Sequence, residues 1–195
     1  MRFRMRNPEA DNYTECQQAY YRHLEQFAKS SNTDLWKFFG WDFFHDGSVE
    51  SIQIQGDLRT VTMRLTCPNV KRFGSETDFE YINVGFECTF QNVTSLIMQD
   101  EIPTHAWDMK KYHTMFLDAE INTSPILDGL TQAGERDLDH RYSLLIRFLV
   151  DDSIIWLEMV FSQVNVVADE PAAFALMEAD PKFLVPTWSG EGMSE

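Results

Sequence analysis

The end of this chain contains two long segments in which every second residue is apolar. They run from Tyr142 to Val150 and from Ile155 to Phe161, and Asp151-Asp152-Ser153 separates them. A spacing of two places these side chains on one face of a β-strand, so the sequence predicts a long antiparallel hairpin. Parts of both segments are also apolar at consecutive positions. Both faces of the hairpin are therefore expected to be covered, with a helix as the cover.

Shorter segments with the same alternation precede this hairpin and predict further strands. They lie at residues 52–54, 61–67, 82–90, 93–98 and 115–121. Near the start, by contrast, apolar residues from Tyr13 to Phe27 are spaced three and four apart, which is typical of one face of a helix. Asn7 and Pro8 suit the N-cap and first position of that helix, and Pro171 suits the start of a short C-terminal helix.

These patterns predict the α+β class, with a mostly antiparallel sheet of about six strands, an N-terminal helix and a short C-terminal helix. A length of 195 residues fits one domain rather than two. We expect a single α+β domain over residues 1–195. Its parts are a helical N-terminal segment (1–40), a β-sheet (41–168), and a short helix with a loose tail (169–195).

The core is predicted from an aromatic run and from the apolar positions of the strands. Six aromatic residues occur within the nine residues from Trp36 to Phe44. So much apolar area is unfavourable in water, and we expect this run to pack between the first helix and the sheet. The strand residues expected in the core are Val61, Met63, Leu65, Ile82, Val84, Phe86, Ile146, Phe148, Leu157 and Met159.

The charge of the chain is strongly negative, because 31 Asp and Glu residues outnumber 16 Lys and Arg for a formal charge of −15. Such a surface repels phosphate backbones, which disfavours nucleic acid as a partner. The three cysteines lack C-x-x-C spacing, so a reducing compartment is the simplest interpretation. Asn, Pro, Glu and Asp occupy positions 7–9 and 11, where the apolar part of a signal peptide would lie, and no stretch of about 20 residues is apolar. We therefore expect no secretion signal and a cytoplasmic protein that makes no membrane contact.

Two groups of residues carry side chains that are suited to catalysis or metal binding. His45-Asp46 lies where the aromatic run meets the first strand, and a histidine beside a carboxylate can act as a general base or as a metal ligand. Capping of a turn is the structural alternative for this pair. The second group lacks the i, i+4 spacing of a helical zinc site. Its members are His105, Asp108, His113, Asp118 and Glu120.

Other motifs with a defined chemistry are missing from the sequence. There is neither a glycine-rich phosphate loop nor a nucleophile elbow, and the acidic run from Glu135 to His140 lacks the spacing of a calcium loop. Cys16, Cys67 and Cys88 fall on apolar positions, which favours small buried residues over reactive thiols. The sequence therefore predicts no catalytic residue, no cofactor and no metal.

One segment resembles a known group of proteins. The stretch Phe44-His45-Asp46-Gly47-Ser48-Val49-Glu50-Ser51-Ile52 is similar to the F-H-D-S-x-I-x-x-I entry into a β-sheet in small bacterial proteins, with Gly47 displacing the usual serine by one position. Some of those proteins are grouped with the immunity proteins of polymorphic toxin systems. Residues 157–166 are similar to their closing strand. The resemblance implies a cytoplasmic binding protein without catalysis, and it implies no individual active-site residue.

Three functional hypotheses follow. The first is a non-enzymatic binding protein, most concretely an immunity-type inhibitor of a basic toxin, because an acidic chain is suited to association with a basic protein. Its expected partner-binding residues are acidic loop positions, namely Glu135, Asp137, Asp139, Asp151 and Asp152. The second is a small-molecule or metal-dependent enzyme that uses His45, His105 or His113 with nearby carboxylates. The third is a homo-oligomeric scaffold protein that buries the aromatic run between protomers.

Overall fold

The computed structural model describes residues 13–30, 33, 35–40, 42–56, 58–73, 79–100, 114–134, 141–150 and 153–169. Two α-helices and eight strands lie in these ranges. The helices are α1 (Tyr13–Ser30) and α2 (Pro125–Gln132), and short helical turns span Trp36–Gly40 and Asp42–Phe44. The strands are β1 (Ser48–Ile54), β2 (Val61–Phe73), β3 (Phe79–Gln91), β4 (Ser95–Asp100), β5 (Thr114–Ile121), β6 (Tyr142–Val150), β7 (Ser153–Phe161) and β8 (Gln163–Ala168).

The strands form one sheet in the order β4-β7-β6-β5-β1-β2-β3-β8, with antiparallel pairing between neighbours. The prediction of about six strands is therefore wrong, because the sheet has eight. The difference arises at two bends. The chain passes from β3 to β4 through Asn92, whose φ is 54°, and from β7 to β8 through Ser162. The segments at 82–90 and 93–98 thus form two separate strands, and β8 follows the last predicted strand after Ser162.

Through the two bends, the strands at the two ends of the order, β4 and β8, continue directly from β3 and β7. Strand β3 pairs with β8, and their continuations β4 and β7 pair with each other. Ser162 N donates to Gln91 O at 3.1 Å, and Thr94 N donates to Val160 O at 2.9 Å, so backbone hydrogen bonds continue through the bends. The sheet therefore curves back on itself, and its inner face encloses the core.

Helix α1 packs on the inner face through the side chains that the helical spacing predicts. Tyr20, Leu24 and Phe27 are buried. The leucine lies against Gly40, where an added Cβ would come within 2.9 Å of Leu24 Cδ2. The start expected for this helix at Pro8 and the short C-terminal helix expected after Pro171 lie outside the described residues.

The aromatic run contributes to the centre of the core, as predicted. Phe38, Phe39 and Phe44 are buried, and the Phe44 ring lies 5.3 Å from the ring of Phe86 and 5.7 Å from that of Phe116 between centroids. Nine of the ten strand residues expected in the core are buried as well. The tenth, Ile82, is half-buried and packs against the same cluster.

The outer face of β5, β6 and β7 is also covered in part, as the consecutive apolar residues predict. Leu145 and Val160 are buried there. Ser124, directly before α2, donates a side-chain hydrogen bond to Glu158 on β7, and its N–H donates to the hydroxyl of Ser143 on β6 at 3.3 Å. The start of α2 therefore lies against this face. In the described parts of the chain, no helix is long and apolar enough to cross a membrane.

Candidate functional site

The structure leaves the predicted partner-binding residues untested. Glu135, Asp137, Asp139, Asp151 and Asp152 all lie outside the described residues, as do His105, Asp108 and His113. The remaining sequence candidates are His45, Asp46, Asp118 and Glu120, and the structure places each of them.

His45 and Asp46 form a tight turn between the aromatic run and β1. The N–H of Gly47 donates to Phe44 O at 2.9 Å, and Asp46 has a φ of 62°, which is a left-handed conformation. The imidazole Nδ1 donates to the carbonyl of Leu117, and Nε2 lies 3.4 Å from Asp46 Oδ1. The Nδ1–H group is thus engaged with β5 and Nε2 lies beside the next residue of the turn, which fits the structural alternative.

Asp118 and Glu120 lie on the outer face of β5 but take part in different contacts. Asp118 accepts two hydrogen bonds from the guanidinium of Arg147, at 3.1 Å from Nε and 2.5 Å from Nη2. The same guanidinium lies 5.8 Å from the ring centroid of Trp156. Glu120 is buried and lies opposite Leu145 in the ladder. Within the described ranges, no group of three or more His, Cys, Asp or Glu side chains is arranged to hold a metal ion.

The buried cysteines are poor nucleophiles. Burial raises the pKa of the Cys67 thiol to about 12, and burial, together with the nearby Cys67 and Glu87, raises the pKa of Cys88. A thiol with a raised pKa contains little thiolate at neutral pH, and the thiolate is the reactive form. Cys16 is half-buried on α1, and none of the three cysteines forms a disulfide.

A hollow of about 370 Å³ lies on the outer face of the sheet where β1, β2, β3 and β8 run side by side. Its position follows from Gly85, which lies between Thr66 on β2 and the residue that follows β8. Because glycine carries no side chain, the outer face has a gap at this point. Leu65, Phe86 and Ala168 also line the hollow, and their side chains belong to the buried core. We call this feature the Gly85 hollow.

Asp169 lines one side of the Gly85 hollow. Its backbone N–H donates to Gly85 O at 2.9 Å, and its carboxylate Oδ1 accepts the Gly85 N–H at 2.9 Å. A Cβ on residue 85 would come within 2.6 Å of Asp169 Oδ2. Glycine at this position therefore allows the carboxylate to lie over the strand.

Charged side chains surround the rest of the Gly85 hollow. Arg64 and Glu87 form an exposed ion pair across β2 and β3, with Nη2 2.7 Å from Oε2. Glu50, on β1, accepts a hydrogen bond from the Thr66 hydroxyl at 2.6 Å. Three carboxylates, including that of Asp169, and one guanidinium thus line the hollow. This surface is suited to attract a cationic group.

The sequence prediction missed this site, although one signal for it was present. Gly85 interrupts an otherwise apolar and polar alternation from Ile82 to Phe90, and a glycine inside a strand often marks the close approach of another group. The acidic residues were less visible, because Glu50 lies on β1, Glu87 on β3 and Asp169 directly after β8. Only the register of the sheet brings them together.

Comparisons with known proteins identify no family for this chain. No family model matches the sequence, and no curated protein matches it either. Among solved structures, the chain is similar to an uncharacterized protein from Neisseria gonorrhoeae with 13% sequence identity, over 63% of this chain and 91% of that one. The TM-score of 0.25 is too low to support any argument about fold or function.

Proposed function

We propose that this protein is a non-enzymatic binding protein of the cytoplasm that recognises a basic protein, in the manner of an immunity-type inhibitor of a basic toxin. The observation that carries the proposal is the excess of carboxylates at the Gly85 hollow. Glu50, Glu87 and Asp169 line it together with Arg64, in a chain with a formal charge of −15.

The scaffold beneath these charges favours binding. Leu65, Phe86 and Ala168 are buried under the hollow and belong to paired strands, so the carboxylates are presented from a rigid surface. Surface charges of one sign accelerate association with a partner of the other sign, and each exposed pair adds little affinity by itself. The hollow would therefore contribute mainly to the rate of association and to the choice of partner.

The two alternative functions have less support among the described residues. A metal-dependent enzyme built on His45 would need further ligands beside the ring, and in the part of the chain that the structure describes no group of three or more His, Cys, Asp or Glu side chains is arranged to hold a metal ion. A scaffold built on the aromatic run would need that run at the surface. Phe38, Phe39 and Phe44 are instead buried in the core.

The test begins with affinity capture of partners from the organism that encodes the chain, followed by association kinetics with the purified partner. The decisive variant combines Glu50→Gln, Glu87→Gln and Asp169→Asn, because each replacement removes a charge and keeps a hydrogen-bond acceptor. We expect a basic partner, and association of this triple variant about tenfold slower at low salt. The difference should disappear as added salt shortens the Debye length to about 3 Å.

A matched control removes the same number of charges elsewhere, through Glu15→Gln, Glu25→Gln and Asp128→Asn on the two helices. This control should associate at nearly the wild-type rate. Arg64→Gln should accelerate association, since it removes the positive charge of Arg64 from the hollow. An acidic or neutral partner, or equal rates for the triple variant and the wild type, would refute the proposal. A partner whose expression does not harm cells would refute its immunity-type part.

A further inference from the structure

The edge of the sheet beside the Gly85 hollow has backbone groups that can pair with another strand. Strand β8 is the last in the strand order, and on its other side no described strand lies next to it. Asp169 N bonds to Gly85 O, and these two residues continue the register in which Ala168 lies opposite Phe86. Hydrogen-bonded pairs alternate along an antiparallel ladder. Val167, Asn165 and Gln163 therefore also direct their N–H and C=O groups towards β3.

The residues of β8 that alternate with these three direct their backbone N–H and C=O groups to the opposite side of the strand. The N–H and C=O groups of Val164, Val166 and Ala168 point away from β3, towards the side of β8 on which no described strand lies. Natural edge strands are usually protected by lysine, by proline or by a bulge. The sequence of β8, Gln-Val-Asn-Val-Val-Ala, contains neither a charged residue nor proline.

We propose that β8 binds an extended basic segment of the partner as an additional strand. This inference rests on the proposed function and specifies how the partner is held. Main-chain hydrogen bonds to Val164, Val166 and Ala168 would supply affinity, as in other cases of strand addition.

The outer face supplies the charge complementarity for this occupant. An added strand would lie about 4.8 Å from β8, so its outward side chains would stand beside Val167 and Asp169. Val167 is 51% exposed and can pack against the aliphatic part of a lysine or arginine side chain. The cationic end of that side chain would then reach the carboxylates of Asp169 and, across β8, of Glu87.

The test uses a short synthetic peptide of alternating lysine and valine as the probe, and a glutamate–valine peptide of equal length for comparison. Amide hydrogen exchange of the full chain is followed by NMR. In the free protein, the N–H groups of Val164, Val166 and Ala168 should exchange faster than those of Asn165 and Val167. The lysine peptide should slow the first group and leave the second unchanged, and the glutamate peptide should slow neither.

Val166→Pro is the decisive variant, because it removes an outward N–H and leaves the ladder with β3 complete. Its matched control is Val166→Thr, which keeps the N–H and the branched side chain. Provided that both variants give the near-UV circular dichroism of the wild type, Val166→Pro should weaken binding of the lysine peptide about tenfold or more, and Val166→Thr should bind as the wild type does. Glu87→Gln should weaken binding about two- to fivefold.

Several outcomes would overturn the inference. They are absence of binding to the wild type, equal binding by Val166→Pro, equal binding of the glutamate peptide, and a dimer in analytical ultracentrifugation that Val166→Pro abolishes. The last outcome would assign the edge to a second copy of the chain. None of them decides the proposed function, because a captured basic partner that responds to the charge variants of the Gly85 hollow would support it without strand addition.

Discussion

The Tyr20 hydroxyl accepts a hydrogen bond from the backbone N–H of Ile121 at 3.1 Å, and it donates one to the carbonyl of Ala119 at 3.2 Å. All three residues are buried. A single side chain of α1 thus satisfies two backbone groups of β5. Tyr20→Phe keeps the ring but leaves those groups without this partner, so we expect it to lower the free energy of unfolding by about 1–3 kcal/mol. Urea denaturation measures the change.

Tyr142→Phe is the control for this prediction. The Tyr142 ring packs against Phe27 and Phe161, and the described structure shows no hydrogen bond to its hydroxyl. The control should change stability by less than about 0.5 kcal/mol. Equal effects of the two variants would contradict the role assigned to the Tyr20 hydroxyl.

A second prediction concerns Gly47, in the turn that leads into β1. A Cβ at this position would lie 2.9 Å from the backbone oxygen of Phe44 and 3.2 Å from Leu65 Cδ1. Because the closest atom belongs to the backbone, the turn itself must shift, and Gly47→Ala should cost about 1–3 kcal/mol. Gly56→Ala, where no atom of the other described residues lies within 4 Å, should be nearly neutral. Thermal unfolding of the two variants distinguishes these effects, and similar melting temperatures would exclude the steric explanation.

Phe86 tests the packing of the aromatic core. It is 3% exposed, and its ring contacts Phe43 and Phe44 with centroid separations of 5.5 and 5.3 Å. Phe86→Ala should lower the free energy of unfolding by about 3–5 kcal/mol, since the cavity adds to the lost burial. Leu58→Ala, at a residue that is 76% exposed, should stay within about 0.5 kcal/mol of the wild type. A loss below about 1 kcal/mol for Phe86→Ala in a denaturant melt would mean that the core face is assigned wrongly.

The buried thiols predict a loss of stability in alkali. Burial raises the pKa of Cys67 from 9.0 to about 12, and it raises the pKa of Cys88 in the same direction. Below pH 9 both states hold the thiol protons. Above it the unfolded chain releases protons that the folded chain retains, so stability should fall by up to about 1.4 kcal/mol per pH unit for each thiol.

The measurement for the thiols is chemical denaturation between pH 8 and pH 11, compared with a Cys67→Ala, Cys88→Ala double variant. The slope of stability against pH should be less steep in the double variant, because tyrosine and lysine titrations are common to both proteins. In the native wild type, both thiols should resist alkylation at neutral pH. Rapid alkylation of Cys88 without unfolding would contradict the burial that raises its pKa.

The sequence predicted elements whose hydrophobic period is long and uninterrupted. The spacing from Tyr13 to Phe27 corresponds to α1, and the alternation from Tyr142 to Phe161 corresponds to β6 and β7. Helix α2 was missed, because Pro125 and Gly129 resemble loop residues. Ser124 followed by proline is nevertheless a typical N-cap and first position, and the N–H of Ile126 donates to the Ser124 hydroxyl at 3.1 Å.

The strand count could not be read from the alternation alone. Around Ser162 the core-facing side chains change from odd-numbered to even-numbered residues, since Phe161 and Val164 both face the core cluster. That change of parity marks the bend, but Asn92 gives no equivalent signal. Its left-handed φ is visible only in the folded backbone. Similarly, the carboxylates of the Gly85 hollow are brought together by strand register, which depends on the whole sheet.

The continuous pairing of β3 and β4 with β7 and β8 has a consequence for the order of synthesis. On the ribosome, residues 79–100 emerge well before residues 153–169, which are their partners in the sheet. Until Phe161 has emerged, Phe90 lacks its contact with that ring, and until β8 has emerged, β3 presents an unpaired edge. The nascent chain must therefore keep this edge from pairing elsewhere, and closure of the core is a late step of its biogenesis.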